Sequence, residues 1–210
     1  ATGVAAGEDG PINPLALGRG QGGGRQKIRI GNHRKSPWMA AIPLAVHAGA
    51  IVGYQDGAAT DALFAAPPAL ALTPAGDLML ADSTNQAVRK LTASGTVSTV
   101  AGGQPPRPFS FANPPNYADG PGPAARFDNP SAVVVDATGN TYVADNYTVR
   151  KIDSQGVVTT LAGKPGECGI DDGPLQAATL CGVDALRLDG AGNLYVLSSG
   201  GDRPFRKITP

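Results

Sequence analysis

The chain has 210 residues with 17 basic and 17 acidic side chains, so its formal net charge is zero and no overall field draws it to nucleic acid or to an anionic membrane. It has 29 glycines and 19 prolines, and only 16% of its residues are charged, which favours a loop-rich, folded β-protein. Since no apolar run approaches the roughly 18 residues that a membrane span requires, we expect no transmembrane segment.

The first 49 residues contain a degenerate copy of a sequence repeat that is clearer after residue 50. Residues 8–49 form a degenerate repeat that starts at Asp9-Gly10 and ends at Ala48-Gly49. The Arg-Gly tract at residues 18–25 resembles an RNA-binding segment and, loosely, a phosphate-binding loop. It lacks the Lys-Ser or Lys-Thr and the helix signal of a phosphate-binding loop, and a flexible loop is favoured over both readings. We therefore expect no nucleic-acid partner.

Three clearer repeats follow, at residues 54–102, 117–163 and 170–210. Each begins with an aspartate before a glycine, and a second glycine stands 20 residues further on. The pairs are Asp56 and Gly76, Asp119 and Gly139, and Asp172 and Gly192. This fixed offset in three segments predicts repeated structural units within a single domain over residues 1–210.

Short apolar segments alternate with turn residues inside every repeat. The segments are rich in Val, Thr, Leu and Tyr, which favours β-strands, and the Gly-Asn pairs between them indicate tight hairpins. The second repeat is predicted to hold four strands, at Ala132–Val135, Asn140–Ala144, Val149–Ile152 and Val157–Leu161. A recurring four-stranded meander is typical of a β-propeller blade.

The second repeat resembles the NHL repeat, a family of β-propeller blades. The resemblance rests on Asp-Gly at 119–120, Ala-Arg-Phe at 125–127, Asn-Pro at 129–130, Gly-Asn-Thr-Tyr-Val-Ala-Asp at 139–145, Val-Arg-Lys-Ile at 149–152 and Val-Val-Thr-Thr-Leu-Ala-Gly at 157–163. It covers most of residues 50–210 well and residues 1–49 weakly. It implies an all-β propeller of four-stranded NHL-like blades, with four repeats in this chain where family members usually close six. Such propellers serve as enzymes, sensors and binding platforms, so the resemblance implies the fold more than the function.

The fourth strand of the last repeat is not found after Ile208, and residues 1–7 read as that strand. We therefore expect residues 1–7 to complete the blade at 170–210. Because an unpaired strand edge favours pairing, the donor can be the same chain or a neighbour. The second case predicts a homo-oligomer or filament formed by exchange of the terminal strand.

Aspartates recur at two places in the repeats. Asp56, Asp119 and Asp172 precede a glycine, and we expect them to be structural, with carboxylates that cap nearby backbone N–H groups of the turn. Asp82 and Asp145 end a strand, where capping of the following loop is favoured over a ring of calcium ligands. No cofactor is expected, with calcium as the alternative.

Binding candidates come from a repeated arginine and from aromatic residues in loops. For the arginines we expect ion pairs with carboxylates between blades, with an anion-binding ring as the functional alternative; these residues are Arg89, Arg150 and Arg206. Long loops on a rigid propeller are where partners bind. The aromatic candidates in or beside such loops are Phe109, Phe111 and Tyr147. The expected ligand is a protein or a glycan.

The two cysteines, Cys168 and Cys181, flank the start of the third repeat. A disulfide is favoured over a pair of thiols or a metal site, since two cysteines without nearby histidines do not make a tetrahedral ligand set. A disulfide implies an extracellular or periplasmic location.

No catalytic constellation is found in the sequence. The favoured function is therefore a secreted, non-catalytic scaffold for protein binding or self-assembly. The alternative is a metal-dependent propeller enzyme of the lyase or lactonase type, which requires a converging set of carboxylates or histidines.

Overall fold

The computed structural model describes residues 52–103, 117–200 and 204–209. Within these ranges every regular element is a β-strand, the strands of each sheet are antiparallel, and there is no helix that could cross a membrane. The prediction of an all-β fold is confirmed. The predictions for residues 1–7 and for the degenerate repeat at 8–49 lie outside the described residues.

Residues 57–102 form the first sheet, which has five strands. They are β1 (Gly57–Ala58), β2 (Ala69–Leu72), β3 (Leu78–Asp82), β4 (Ala87–Leu91) and β5 (Thr96–Gly102). Their order across the sheet is β1-β5-β4-β3-β2. Four consecutive strands therefore form a meander, and the two-residue β1 lies beside β5 at the edge.

The second and third sheets repeat this plan. The strands of the second are β6 (Gly120–Pro121), β7 (Pro130–Val135), β8 (Thr141–Asp145), β9 (Thr148–Ile152) and β10 (Val157–Gly163), in the order β6-β10-β9-β8-β7. Those of the third are β11 (Val183–Leu188), β12 (Leu194–Ser198) and β13 (Phe205–Ile208), in that order. Among the described residues, no strand pairs with the side of β13 that faces away from β12. We call that side the β13 edge.

The second sheet has one strand more than the sequence predicted. Strands β7 to β10 overlap the four predicted strands, but the segment after Asp119 runs back along β10 and pairs Gly120 with Val158. Gly57 pairs with Val97 in the same way. These two glycines have φ values of 133° and 138°, which side-chain-bearing residues rarely adopt, so the Asp-Gly pairs are what permit the short edge strands.

Hydrogen-bonded turns join the strands. Between β7 and β8, Asp136 Oδ1 accepts hydrogen bonds of 2.9 Å from the amides of Thr138 and Asn140, and Gly139 takes a positive φ of 88°. Burial raises the pKa of Asp136, but the hydrogen bonds from Asn140 and Thr138 outweigh it and lower the pKa to about 2. Asp189 holds the turn between β11 and β12 in the same way. The carboxylates at these turns therefore fix the hairpins that the Gly-Asn pairs predicted.

Neighbouring sheets meet in two buried apolar clusters. The first lies between the first and second sheets and includes Phe127, Val143 and Val158, all fully buried. The second lies between the second and third sheets and includes Ala144 and Leu186. Because alternate residues of a strand face opposite sides, Val143 and its neighbour Ala144 contribute to different clusters. Full burial of a side chain such as Phe127 contributes about 2–3 kcal/mol. This succession of antiparallel sheets, packed face to face, is consistent with a β-propeller.

The glycine that ends β5 makes a close approach that a side chain would prevent. Gly102 has a φ of 74°, and a Cβ there would collide with the carbonyl oxygen of Gln86 and the ring of Phe127. We expect Gly102→Ala to lower the free energy of unfolding by about 2 kcal/mol or more. Gly190→Ala is the matched control, because a Cβ at Gly190 meets open space and no positive φ is required there; its effect should stay within about 0.5 kcal/mol. Urea unfolding measures both, and equal effects would contradict the account.

Candidate functional site

An arginine occupies the same position in each of the three sheets. Arg89 lies on β4, Arg150 on β9 and Arg206 on β13. The side chains of Arg89 and Arg150 are fully buried, whereas 13% of the Arg206 side chain is exposed. A buried guanidinium is strongly destabilising unless carboxylates and hydrogen-bond acceptors surround it. We call each arginine, with the groups that bind it, an arginine cluster.

The first cluster joins Arg89 to two carboxylates and two carbonyls. Its Nη2 lies 2.7 Å from Asp56 Oδ1 and its Nη1 lies 2.9 Å from Asp82 Oδ2. Nη1 also donates to the carbonyl of Leu63, and Nη2 to the carbonyl of Gln55. The Asp82 side chain is fully buried and that of Asp56 is 45% exposed. One guanidinium therefore connects the segment before β1, the segment before β2 and the end of β3.

The second cluster repeats this arrangement around Arg150. Nη2 lies 2.6 Å from Asp119 Oδ1, and Nη1 lies 3.1 Å from Asp145 Oδ2. The carbonyls of Ala118 and Arg126 accept hydrogen bonds of 2.8 and 2.9 Å from Nη2 and Nη1. In both clusters the two carbonyls stand at the same offsets from the aspartate before the glycine, one residue before it and seven residues after it.

Asp145 extends the second cluster into the loop before β7. Its Oδ1 accepts hydrogen bonds from the amides of Asp128 and Asn129, at 2.9 and 2.8 Å. Burial raises the pKa of Asp145 to about 6, although Arg150 and the two amides act in the opposite direction. Above that pH the carboxylate is ionised, and it holds the loop and the guanidinium together.

Two aromatic rings flank each of the first two arginines. The guanidinium carbon lies 4.8 and 4.9 Å from the ring centres of Tyr54 and Phe64 in the first cluster, and 4.0 and 5.0 Å from those of Tyr117 and Phe127 in the second. Cation–π contacts of this kind contribute about 0.5–2 kcal/mol each. Burial raises the pKa of Tyr117 well above its usual value, so this ring is neutral beside the ion pair.

The aspartate before the glycine also binds the last strand of its sheet. Asp56 accepts a hydrogen bond of 2.9 Å from the amide of Thr99 and one of 3.2 Å from its hydroxyl. Asp119 accepts a hydrogen bond of 3.0 Å from the amide of Thr160 and one of 3.1 Å from its hydroxyl. Each carboxylate therefore bridges a buried arginine and a threonine on β5 or β10.

The third cluster is reduced. Arg206 lies 2.7 Å from Asp172 and donates to the carbonyls of Asp171 and Thr179. The positions of the two aromatic rings and of the strand-end aspartate hold Ile170, Leu180 and Ser198. Arg206 therefore lacks the flanking rings and the second carboxylate of the other clusters, which agrees with its partial exposure.

A cavity of about 220 Å³ lies beside the third cluster. Its lining residues are Ala162, Asp172, Gly173, Leu175, Ala178, Leu180, Val196, Arg206, Lys207 and Ile208. In the first two sheets the corresponding place holds β5 and β10, whose Val97 and Val158 are buried. The cavity therefore lies along the β13 edge, where the other sheets have one further strand.

Two expectations about the repeated charges are corrected by this geometry. Arg89 and Arg150 pair with carboxylates of their own sheet and not between blades. Asp56 and Asp119 bind a strand about 40 residues further along the chain and not the nearby turn amides. Sequence analysis missed the flanking rings of Tyr54 and Tyr117, although both tyrosines stand two residues before the repeated aspartate.

The remaining residues that the sequence suggested as metal ligands or binding residues lie in different parts of the structure. The strand-end carboxylates of Asp82 and Asp145, considered as calcium ligands, are bound to arginine. In the parts of the chain that the structure describes, no three His, Cys, Asp or Glu side chains are grouped so as to hold a metal. Tyr147 is half-buried in the turn between β8 and β9. Phe109 and Phe111 lie outside the described residues.

Cys168 and Cys181 form a disulfide in the connection between β10 and β11. The bridge encloses Asp171 and Asp172, which contact Arg206. It therefore holds the segment that supplies the partners of the reduced third cluster.

Arg150 gives the most direct test of the clusters. We expect Arg150→Met to lower the free energy of unfolding by about 3–5 kcal/mol, because Asp145 is left buried without its counter-ion. Lys151→Met, the next residue on the same strand, is the matched control, with an expected change within about 0.5 kcal/mol. Adding Asp145→Asn to Arg150→Met should recover part of the loss. Chemical unfolding measures all three variants, and an Arg150→Met protein as stable as the control would contradict a structural role.

Comparison with known proteins identifies relatives of this repeat. Residues 108–198 match the family model described as the teneurin NHL domain. A Bacteroides thetaiotaomicron structure of unknown function is similar, with a TM-score of 0.54 and 27% identity, over 63% of this chain and 32% of that one. An auxiliary nutrient binding protein from the same organism gives a TM-score of 0.50 and 22% identity, over 67% of this chain and 36% of that one, which supports the fold alone.

A gluconolactonase from Xanthomonas campestris is more distant. Its TM-score is 0.40 at 14% identity, over 65% of this chain and 36% of that one, so it adds no weight to the lactonase alternative. No curated protein sequence matches the chain. The chain spans about a third of the length of the solved structures named here. The match over residues 108–198, on repeated antiparallel sheets, confirms the predicted resemblance of this chain to the NHL-repeat β-propellers.

Proposed function

We propose that this protein is a secreted, non-catalytic β-propeller scaffold that binds a protein partner by accepting one further β-strand at the β13 edge. The observation that carries the proposal is the cavity of about 220 Å³ at the place where the first two sheets hold β5 and β10. An extended segment that enters there gains main-chain hydrogen bonds and buries apolar side chains at the same time.

The backbone of β13 is suited to such pairing. In the first two sheets, the amides of Thr92 and Asp153 donate to the last strand, with distances of 2.9 and 3.0 Å. Since N–H groups alternate in direction along a strand, the amide two residues earlier faces the same side. The corresponding residue of β13 is Lys207. The amide of Lys207 therefore faces the β13 edge, where it can donate a hydrogen bond to a carbonyl of a partner strand.

The arginine clusters support a scaffold more than a catalyst. Arg89 and Arg150 are fully buried, and their carboxylate partners are engaged with backbone amides as well as with the guanidinium. Charged groups that are held in this way stabilise the sheets. The repeated charges of the described sheets therefore serve to stabilise them, which leaves the β13 edge as the candidate binding surface.

The disulfide supports the secreted part of the proposal. Cys168 is exposed and the bridge to Cys181 lies in a connection at the surface. Disulfides in such positions persist in oxidising compartments and are rare in the cytosol. The donor strand belongs to a partner protein or to a second copy of this chain, and the second case gives the homo-oligomer expected from the sequence.

A peptide with the sequence of residues 155–164, which includes β10, tests the proposal. We expect the labelled peptide to bind the full chain saturably in fluorescence anisotropy. Lys207→Pro should abolish binding, because it removes an amide that faces the β13 edge, whereas Lys207→Ala should retain it. Circular dichroism checks that both variants fold. No binding to the wild-type chain, or equal binding to the Lys207→Pro variant, would contradict the proposal.

A further inference from the structure

The disulfide occupies the place of a hydrogen-bonded anchor that the first two sheets share. We infer that Cys168 and Cys181 form a site of thiol–disulfide exchange, at which a dithiol reductant releases the connection between β10 and β11 while the sheets stay folded. Neither cysteine lines the cavity at the β13 edge, so this site is separate from the proposed strand-binding surface.

In the first sheet the anchor consists of Asp82, which ends β3, and Asn85 in the turn that follows. Asp82 Oδ1 accepts a hydrogen bond of 2.8 Å from the amide of Ala65. The side-chain amide of Asn85 donates to Asp82 Oδ2 at 2.8 Å and to the carbonyl of Gly53 at 2.9 Å. The anchor therefore joins the segment before the repeated Asp-Gly to the loop before β2.

The second sheet has the same carboxylate in the same role. Asp145 ends β8, and its Oδ1 accepts a hydrogen bond of 2.9 Å from the amide of Asp128. Asp128 follows Phe127 as Ala65 follows Phe64, so the two amides stand at equivalent positions of the repeat. In both sheets a buried carboxylate at the end of a strand holds the loop that leads into the sheet.

The third repeat replaces the carboxylate by a covalent bond. Ser198 ends β12 where Asp82 and Asp145 end their strands, and a serine has no carboxylate. The residue at the position of the anchored amide is Cys181, which follows directly after Leu180. Its bond to Cys168 therefore supplies the connection that the aspartates supply in the other two sheets.

The segments that the disulfide joins are the same two segments that the anchor joins in the first sheet. The amide of Gly169 donates to the carbonyl of Leu180 at 3.3 Å, and the two cysteines flank this pair. In the first sheet the amide of Gly53 donates to the carbonyl of Phe64, also at 3.3 Å. The backbone arrangement is thus shared, and only the group that secures it differs.

The two sulfur atoms differ in accessibility. Cys168 is exposed, whereas Cys181 is half-buried. Gly200 lies against the sulfur of Cys181, since a Cβ on Gly200 would come within 2.7 Å of it. A thiolate from solution therefore reaches the sulfur of Cys168 first.

The co-reactant is a dithiol. One of its thiolates attacks the sulfur of Cys168 and forms a mixed disulfide, while the thiolate of Cys181 leaves and takes up a proton. The second thiolate of the reductant then displaces the thiolate of Cys168, which is protonated in turn. The protein gains two electrons and two protons, and the dithiol is oxidised to its own disulfide.

Opening the bridge releases the segment that binds Arg206. Asp171 and Thr179 lie between the two cysteines, and their carbonyls accept hydrogen bonds from the Arg206 guanidinium on β13. The corresponding loops of the first two sheets are held by buried carboxylates, which a thiol does not alter. Reduction therefore loosens the third connection and leaves the other two unchanged.

Hydrogen exchange of the full chain, with and without dithiothreitol and without denaturant, tests the inference. A thiol reagent should detect two thiols per chain after reduction, while circular dichroism stays unchanged. We expect the amides of Gly169 and Thr179 to exchange at least about 10-fold faster once the crosslink is lost. The amides of Ala65 and Asp128, which are held by aspartates, should change by less than about 2-fold.

A variant with Cys168→Ser and Cys181→Ser provides the control for the reduced state. It should exchange as the reduced wild-type chain does, and dithiothreitol should not change its rates. Thiols that react only in denaturant would overturn the inference, because the bridge is then closed to exchange in the folded chain. Equal exchange of Gly169 before and after reduction would overturn it as well, because the bridge then holds nothing.

Ser198→Asp tests whether the disulfide stands in for the carboxylate. The substitution places an acidic group where Asp82 lies in the first sheet, with Arg206 as its counter-ion. In the reduced chain it should return the exchange of the Thr179 amide to within about 3-fold of the oxidised wild-type rate. Ser199→Asp, at the exposed neighbouring position, is the matched control and should leave the reduced rate unchanged. Equal rates for the two reduced variants would contradict the replacement.

Discussion

The buried guanidinium is the interaction on which the rest of each sheet depends. A charge in the interior has to be bound by partner groups, and Arg150 has two carboxylates, two carbonyls and two aromatic rings around it, while its buried Nε makes no hydrogen bond to the described residues. These groups come from segments that are distant along the chain. These contacts join the Asp-Gly segment, the loop before β7 and the last strand to β9, so we expect the loops to be held as firmly as the strands.

The three clusters differ, and the reduced one lies beside the cavity of the third sheet. The first two each have two carboxylates and two flanking rings, and a last strand bound through Thr99 or Thr160. The third has a partly exposed Arg206, aliphatic residues in place of the rings, and a serine in place of the buried aspartate. Its connection is held instead by a disulfide, which encloses the residues that contact Arg206. The same sheet presents the β13 edge and the adjacent cavity.

The sequence predicted the positions of the strands but not the partners of the buried arginines, because strands follow from local patterns and the arginine contacts do not. The constant offset between Asp-Gly and Gly-Asn, with apolar segments between them, determined the meander because turns and alternation are local properties. The partners of Arg150 stand 5 and 31 residues away, at Asp145 and Asp119, and no local pattern shows that they meet at one guanidinium. The extra edge strand was missed because it has only two residues and its pairing partner is distant. The repeat did contain a signal, since the tyrosine, the aspartate, the phenylalanine and the arginine recur together.

Native-state hydrogen exchange of the second sheet tests the central claim most directly. The amides of Asp128 and Asn129 lie in the loop before β7 and that of Thr160 lies on β10, and all three are bound by the two carboxylates that pair with Arg150. If the arginine cluster holds these segments as one unit, the three amides should exchange with the same free energy of opening as the amides of β9, despite their positions in loops and near the edge. Independent and faster exchange of the Asp128 and Asn129 amides would contradict the account.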